Sequence, residues 1–271
     1  QAEGGVRGPM TSPLPDLVTL AGITVFCLAM ALLSYRRRIF NLSGSVSAFV
    51  VGMVIGVCGN VLWLVLLLVF LLTSFGATKY RFDWKRKQGF QEGKKGERSW
   101  RNIAANGAIP TAIALASFVA EVMSGGDPAS NPFPKDIASF MFISAIAVAA
   151  SDTAASEVGI VDPRVYLITT GKRTKRGVDG GVSLTGQLIA FVAAAYTSVL
   201  AYIVFAAFNQ DLLAGPPTLF VPMLCGFFGC QIDSVIGATW ETRGRIGKLG
   251  NNFVSIGIGT GLALLLALVS A

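Results

Sequence analysis

Residues 137–157 read IASFMFISAIAVAASDTAASE, and none of the first fifteen positions, before Asp152, carries a charged side chain. An α-helix needs roughly 20 mostly apolar residues to cross about 30 Å of hydrocarbon, and this run of 21 meets that length. Its polar residues gather at one end, where Ser151, Asp152, Thr153, Ser156 and Glu157 close a stretch dominated by alanine, isoleucine, valine and phenylalanine. The segment reads as a membrane span with its chemistry at one edge.

The same ruler, moved outward, finds seven further spans: Pro15–Ser34, Ser43–Val57, Asn60–Thr78, Asn102–Met123, Gly181–Phe208, Leu219–Thr239 and Asn251–Ala271. The expected fold is all-α, a polytopic membrane helical bundle of about eight transmembrane helices, forming a single integral membrane domain over residues 1–271. The second span is short and only Cys58-Gly59 divides it from the third, so a re-entrant pair is the alternative there. Composition agrees. Of 271 residues 53% are hydrophobic and 14% charged, too little charge to clothe a soluble domain of this size. The chain begins at Gln1, which points to an upstream targeting or tag segment, and Pro15–Ser34 reads as a retained helix, not a signal peptide.

Eight spans place loops 35–42, 79–101, 158–180 and 240–250 on one side. They carry three, nine, five and three basic residues, 20 of the 22 in the chain, while Arg7 and Lys135 fall on the other side. Lysine and arginine favour cytoplasmic loops, so these four are expected in the cytoplasm or stroma with both termini opposite. The expected location is an archaeal or bacterial inner membrane, or a plastid membrane in a eukaryote. The net charge of +7 thus gathers on one face, where Arg36-Arg37-Arg38 suits orientation and anionic lipid. No aromatic platform interleaves the basic residues, so nucleic acid is not an expected partner.

The chain has no histidine, which excludes a histidine base, histidine-ligated zinc and a Ser-His-Asp triad. Cys27, Cys58, Cys225 and Cys230 lie in apolar stretches and form no disulfide framework. What remains is oxygen chemistry. Ionisable groups at membrane depth are functional candidates by default. Asn102 and Asn106, Asp152 and Glu157, Asp179 and Ser183, Asp233 and Ser234, and Asn251 and Asn252 all lie at the basic ends of their spans. Carboxylates and amides under basic loops are the composition of a magnesium and phosphate site. Asp152, Asp233 and Glu157 are the expected metal ligands, with Asn106, Asn251 and Asn252 completing the site. Asp152 and Glu157 are five apart, roughly 140° around a helix, so both reach one point only if the helix unwinds near Gly159.

The connector 169–183, TTGKRTKRGVDGGVS, is glycine-rich and basic without being a Walker A sequence. Lys172, Arg173, Lys175 and Arg176, with Gly180, Gly181 and Ser183, are the expected triphosphate cradle. Gly52/Gly56 and Gly257/Gly259/Gly261 read as small-residue helix packing, Trp63, Trp84, Trp100 and Trp240 as interface anchors, and Glu121 as hydrated at the far side.

Five blocks then carry a resemblance: SWRNIAANGAIPTAIAL (99–115), SDTAASEVG (151–159), PRVYLITTGKRTKRGVDGGVSLTG (163–186), GCQIDSVIGAT (229–239) and GNNFVS (250–255). In order and spacing the chain resembles the family that includes plant and cyanobacterial phytyl-phosphate kinase and a widespread animal transmembrane protein, from about Ser43 to Leu265. The resemblance implies phosphorylation of an isoprenyl monophosphate, such as phytyl or geranylgeranyl phosphate, by a nucleoside triphosphate, with CTP the favoured donor. The family's aspartate-glutamate motif falls on Asp152 and Glu157, its G-G-[IV]-S turn on Gly180 to Ser183, its D-S motif on Asp233 and Ser234, and its paired asparagines on Asn251 and Asn252. Ala154 stands where many members have tryptophan, and Gly250 where many have aspartate. The rival readings are a CTP-dependent cytidylyltransferase making a CDP-lipid and a membrane transporter.

Overall fold

A computed structural model describes residues 14–91, 96–210 and 217–270; Arg7, Lys94 and Lys95 of the charge partition lie outside them. The helices are α1 (Leu17–Arg36), α2 (Leu42–Cys58), α3 (Val61–Lys79), α4 (Phe82–Gln88), α5 (Trp100–Met123), α6 (Lys135–Gly159), α7 (Leu184–Ala207), α8 (Pro217–Ile236) and α9 (Lys248–Ser270). Several start where the sequence supplies a side chain for the unpaired amides of the first turn. Asp16 caps α1, Asn41 caps α2, Asn60 caps α3 and Ser183 caps α7. Among the described residues seven helices are long and apolar enough to cross a membrane, and α2, at 17 residues, is the shorter eighth. Large apolar side chains such as Val18, Leu188, Ile203 and Leu265 are exposed on the outside of the bundle, as a lipid-facing surface requires.

The short α2 and α3 form a hairpin that runs the full depth of the bundle. Asn60, at their turn, donates from Nδ2 to Gln210 Oε1 at 3.3 Å, just beyond the end of α7. The turn therefore lies level with the far end of a full-length span, and the re-entrant alternative is discarded. α6 is the central post. It packs against α3, α5, α7, α8 and α9, and Phe140, Phe142, Val148 and Ala149 on it are fully buried. Small residues permit this crowding: a Cβ on Gly229 or Gly259 would come within 2.6 or 2.7 Å of Val148. Gly52 and Gly56 bring α2 close to Cys27 and Ile23 of α1, at 3.0 and 2.9 Å from an added Cβ, whereas Gly261 has open space beside it. Trp63 is not an interface anchor. It is 1% exposed, stacks on Phe142 at 4.2 Å and donates to Ser139 Oγ at 3.3 Å.

The basic connections meet in one layer. Phe40 pairs with Arg98 as an isolated β-bridge, Lys85 of α4 reaches Glu157, and Arg176 lies 5.1 Å over the Trp84 ring. Gly180 packs on Ala238 of the connection that follows α8. At the opposite end Glu121 is ion-paired to Lys135 at 3.0 Å. The all-helical expectation needs one amendment: the 158–183 connector holds a small antiparallel sheet of β1 (Val165–Leu167), β2 (Arg173–Thr174) and β3 (Gly181–Val182), in the order β2-β1-β3.

Candidate functional site

A polar cavity of about 330 Å³ opens under the basic layer. Its walls come from α5 with Asn102 and Asn106, α6 with Asp152, the 177–183 turn, α8 with Asp233, and α9 with Lys248, Asn251 and Asn252. Between α8 and α9, one π-helical turn, Gly237–Glu241, brings Glu241 to the rim.

The amides on this wall are held by one end and leave the other bare. Asn251 is 2% exposed, and its Nδ2 donates to Asp233 O at 2.9 Å and Glu241 Oε2 at 3.3 Å. Asn252 Nδ2 donates to Asp152 Oδ2 at 3.4 Å, and Asn106 Nδ2 to Asn102 O at 2.9 Å. The Oδ1 atoms of Asn106, Asp233, Asn251 and Asn252 are buried with no hydrogen-bond partner. Buried acceptors are costly to leave unpaired, so four of them on residues lining one cavity point to a guest that satisfies oxygen. Asp233 also feels the charges of Asp152, Glu241 and Asp179, against which Lys248 is the opposing cation. Among the described residues no three Asp, Glu or Cys side chains converge as a ready-made metal cage. Two carboxylates with amide oxygens are the donor set magnesium uses when substrate phosphates supply its remaining ligands, and the residues present fit that ion.

Glu157 lines the same cavity, but its carboxylate is already paired. α6 continues unbroken to Gly159, so the unwinding expected to bring Asp152 and Glu157 to one point is absent. Glu157 instead receives Lys85 Nζ at 2.6 Å and the Thr78 hydroxyl at 3.0 Å, with Arg98 at 3.9 Å. It forms the seam between α3, α4 and α6.

The basic tract 172–176 is also displaced from its expected place. Lys172, Arg173 and Lys175 are exposed around the β1–β2 hairpin. Arg176 donates from Nε to Asp162 O at 3.0 Å and stacks on Trp84. None of the four lines the cavity; among the described residues the cations that do are Lys85, Arg98 and Lys248. Lys85 and Arg98 were hidden among nine basic residues of one loop, and only their tertiary partners single them out. Lys248 had a legible signal, since it opens α9 three residues, about one turn, before Asn251.

The glycine turn lines the cavity with part of its backbone already used. Gly181 N–H donates to Val178 O at 2.9 Å, and Gly180 O accepts from Ile168 N at 3.0 Å. Ser183 caps α7 through Gly186 N and donates to Gly159 O at 3.3 Å, tying the end of α6 to the start of α7. Asp162 accepts from Arg164 N at 2.9 Å and from the Thr185 hydroxyl at 2.7 Å. Those two bonds, the backbone one first, hold its carboxyl below the ordinary carboxylate value. Their contribution to stability is complete at neutral pH and is lost as pH falls through that lowered value.

Gly180 is required by packing. Its φ is +75°, and an added Cβ would lie 2.7 Å from Ala238 Cα and nearer still to Ala238 Cβ. Gly180→Ala is expected to cost at least about 1–2 kcal/mol from the left-handed backbone alone, with the clash added. Thermal melting in detergent checks this; an unchanged midpoint would contradict the packing.

These features define a polytopic membrane protein with an oxygen-rich, cation-flanked cavity at its basic end. The chain belongs to the family described as integral membrane protein DUF92, whose profile matches residues 25–256. It is 32% identical over 225 residues to Protein PGR of Arabidopsis thaliana, covering 79% of this chain and 76% of that one. It is 26% identical to an uncharacterized membrane protein of Methanocaldococcus jannaschii, covering 88% and 89%. To Protein VTE6, chloroplastic, of Arabidopsis thaliana it is 27% identical, covering 83% of this chain and 64% of that one. No solved structure matches. The family membership expected from the five sequence blocks is borne out, as is the integral membrane character.

Proposed function

We propose that this protein is a magnesium-dependent phosphotransferase that moves the γ-phosphoryl group of a nucleoside triphosphate, CTP foremost, onto an isoprenyl monophosphate such as phytyl or geranylgeranyl phosphate. The single observation that carries this reading is the composition of the cavity. Asp152, Asp233 and unpartnered amide oxygens share it with Lys85, Arg98 and Lys248, at the end of a membrane bundle. A soluble triphosphate and a lipid headgroup both reach that level, with the basic end facing the cytoplasm or stroma.

Asp152 and Asp233 would hold magnesium, which when bound screens the crowded phosphate oxygens. Asn106, Asn251 and Asn252 orient the reactants, and Arg98 and Lys248 offset charge on the acceptor and the leaving diphosphate. An acceptor phosphate oxygen forms the new bond to the γ-phosphorus. The bond from that phosphorus to the β-phosphate oxygen breaks, and the nucleoside diphosphate leaves with its electron pair. The nucleophile arrives ionised, so no side-chain base is required, and phosphoryl transfer is mostly positioning and charge screening. That suits a chain without histidine.

The test offers phytol and phytyl phosphate, or their geranylgeranyl counterparts, to purified protein with labelled CTP and magnesium. Diphosphate made only from the monophosphate, with CDP released, is the expected result. Efficient phosphorylation of the alcohol would make the protein an alcohol kinase, and a CDP-lipid with free pyrophosphate would make it a cytidylyltransferase.

A further inference from the structure

A second cavity, of about 130 Å³, lies between α1, α2, α3 and α5. Its walls are apolar, with Phe26, Met30, Val51, Leu67, Leu71 and Phe75 among them. At its basic end the wall changes character to Arg98, Asn102 and Asn106, and these same three residues also line the polar cavity. One apolar slot and one phosphate-type site therefore meet across a shared polar boundary.

The boundary holds a cation with capacity to spare. The Arg98 side chain is 13% exposed; its Nη2 donates to Thr78 Oγ1 at 3.2 Å and lies 3.9 Å from Glu157 Oε1, yet a guanidinium offers five N–H donors in all. Asn106 Oδ1, in the same wall, is buried and unpartnered. The slot also has a side door. α1 packs against α2 and α3 against α6 and α2, while α1 and α3 are not closely packed on each other. Phe26 and Met30 of α1 and Phe75 of α3 all line the slot, so the gap between these two helices is where a chain can pass.

We infer that this slot holds the single apolar chain of the acceptor lipid, with its monophosphate at Arg98 and its reactive oxygen turned toward Asp152 and Asp233. The inference rests on the phosphotransferase reading for the identity of the headgroup; the place of the tail follows from the slot itself. If a water-sized group needs about 10–15 Å³ of such space, the slot takes on the order of ten chain carbons, or two isoprene units. A longer chain leaves through the α1–α3 seam into the bilayer. Two acyl chains do not fit, so the slot selects single-chain lipid phosphates against diacyl lipids.

The experiment uses a geranylgeranyl phosphate analogue with a diazirine near its second isoprene unit, added to the full-length protein in detergent, with cross-links mapped by peptide mass spectrometry. The expected label falls on α1, α2 and α3 residues of the slot, is competed at least tenfold by geranylgeranyl phosphate, and is competed poorly by geranylgeraniol or a diacyl phosphatidate. Arg98→Gln should remove the preference for the phosphate over the alcohol. Ala48→Trp and Ala31→Trp, which fill the slot, should each cut labelling at least fivefold and shift turnover toward geranyl phosphate; melting of both variants confirms folding. Label spread evenly over lipid-facing helices, label on α7 or α8, or no label above background would overturn the tail site. Slot labelling without phosphoryl transfer would instead sink the kinase reading alone, and turnover with label elsewhere would sink only the tail site.

Discussion

Asp152→Asn and Asp233→Asn are each expected to lower turnover about 100-fold or more, on the order of 3 kcal/mol of transition-state stabilisation. Asparagine keeps the size of the side chain and one oxygen but removes the negative charge that would hold the metal. The same substitutions relieve repulsion, because Asp233 faces the charge of Asp152 as well as those of Glu241 and Asp179. The folded variants should therefore melt at or above the temperature of the unmutated protein while being nearly inactive. That opposition separates a functional carboxylate pair from a structural one. Measured in parallel, turnover with CTP and geranylgeranyl phosphate should fall while the melting midpoint does not. Near-normal turnover in both folded variants would end the assignment.

The second large effect is on stability. Lys85 is 1% exposed, and its ammonium donates to Ala77 O at 3.1 Å, Glu157 O at 3.3 Å and Glu157 Oε2 at 2.6 Å. It closes the ends of α3 and α6 at once. Lys85→Met leaves the largely buried Glu157 carboxylate without its closest cation and with only Arg98, at 3.9 Å, to offset it, a loss expected to cost up to about 3–5 kcal/mol. The double variant Lys85→Met/Glu157→Leu removes both charges, and apolar replacement of a buried pair is often close to neutral. It is expected to recover more than half of the loss. Equal melting of the single and double variants would show that the pair contributes packing rather than charge compensation.

The contrast between Glu157 and Asp152 shows what sequence reading can and cannot reach. Both are acidic and lie within one turn and a half of each other on one span, so type and depth do not separate them. Helical phase set them apart, yet it left an unwound helix end as the way to reunite them. The structure decides by keeping α6 intact to Gly159, where a close approach to Gly186 and the Ser183–Gly159 hydrogen bond brace its end. The basic tract failed for a related reason. Lys172 to Arg176 has the composition of a phosphate cradle, but the 158–183 connector pairs its backbone into a sheet that turns those side chains outward.

Run length and charge side by themselves determined the spans, their single basic end and the gathering of Asp152, Asp233, Asn106, Asn251 and Asn252 at that end. Each of these follows from the cost of polar groups in hydrocarbon, which acts on one helix at a time and is therefore written locally. The choice of Lys85, Arg98 and Lys248 as the cavity's cations, the pairing of Glu157 with Lys85 and the apolar slot against Arg98 depended on tertiary structure. They arise where helices distant in the chain meet, and contacts of that kind are decided by packing and mutual charge compensation, which no local run of residues encodes.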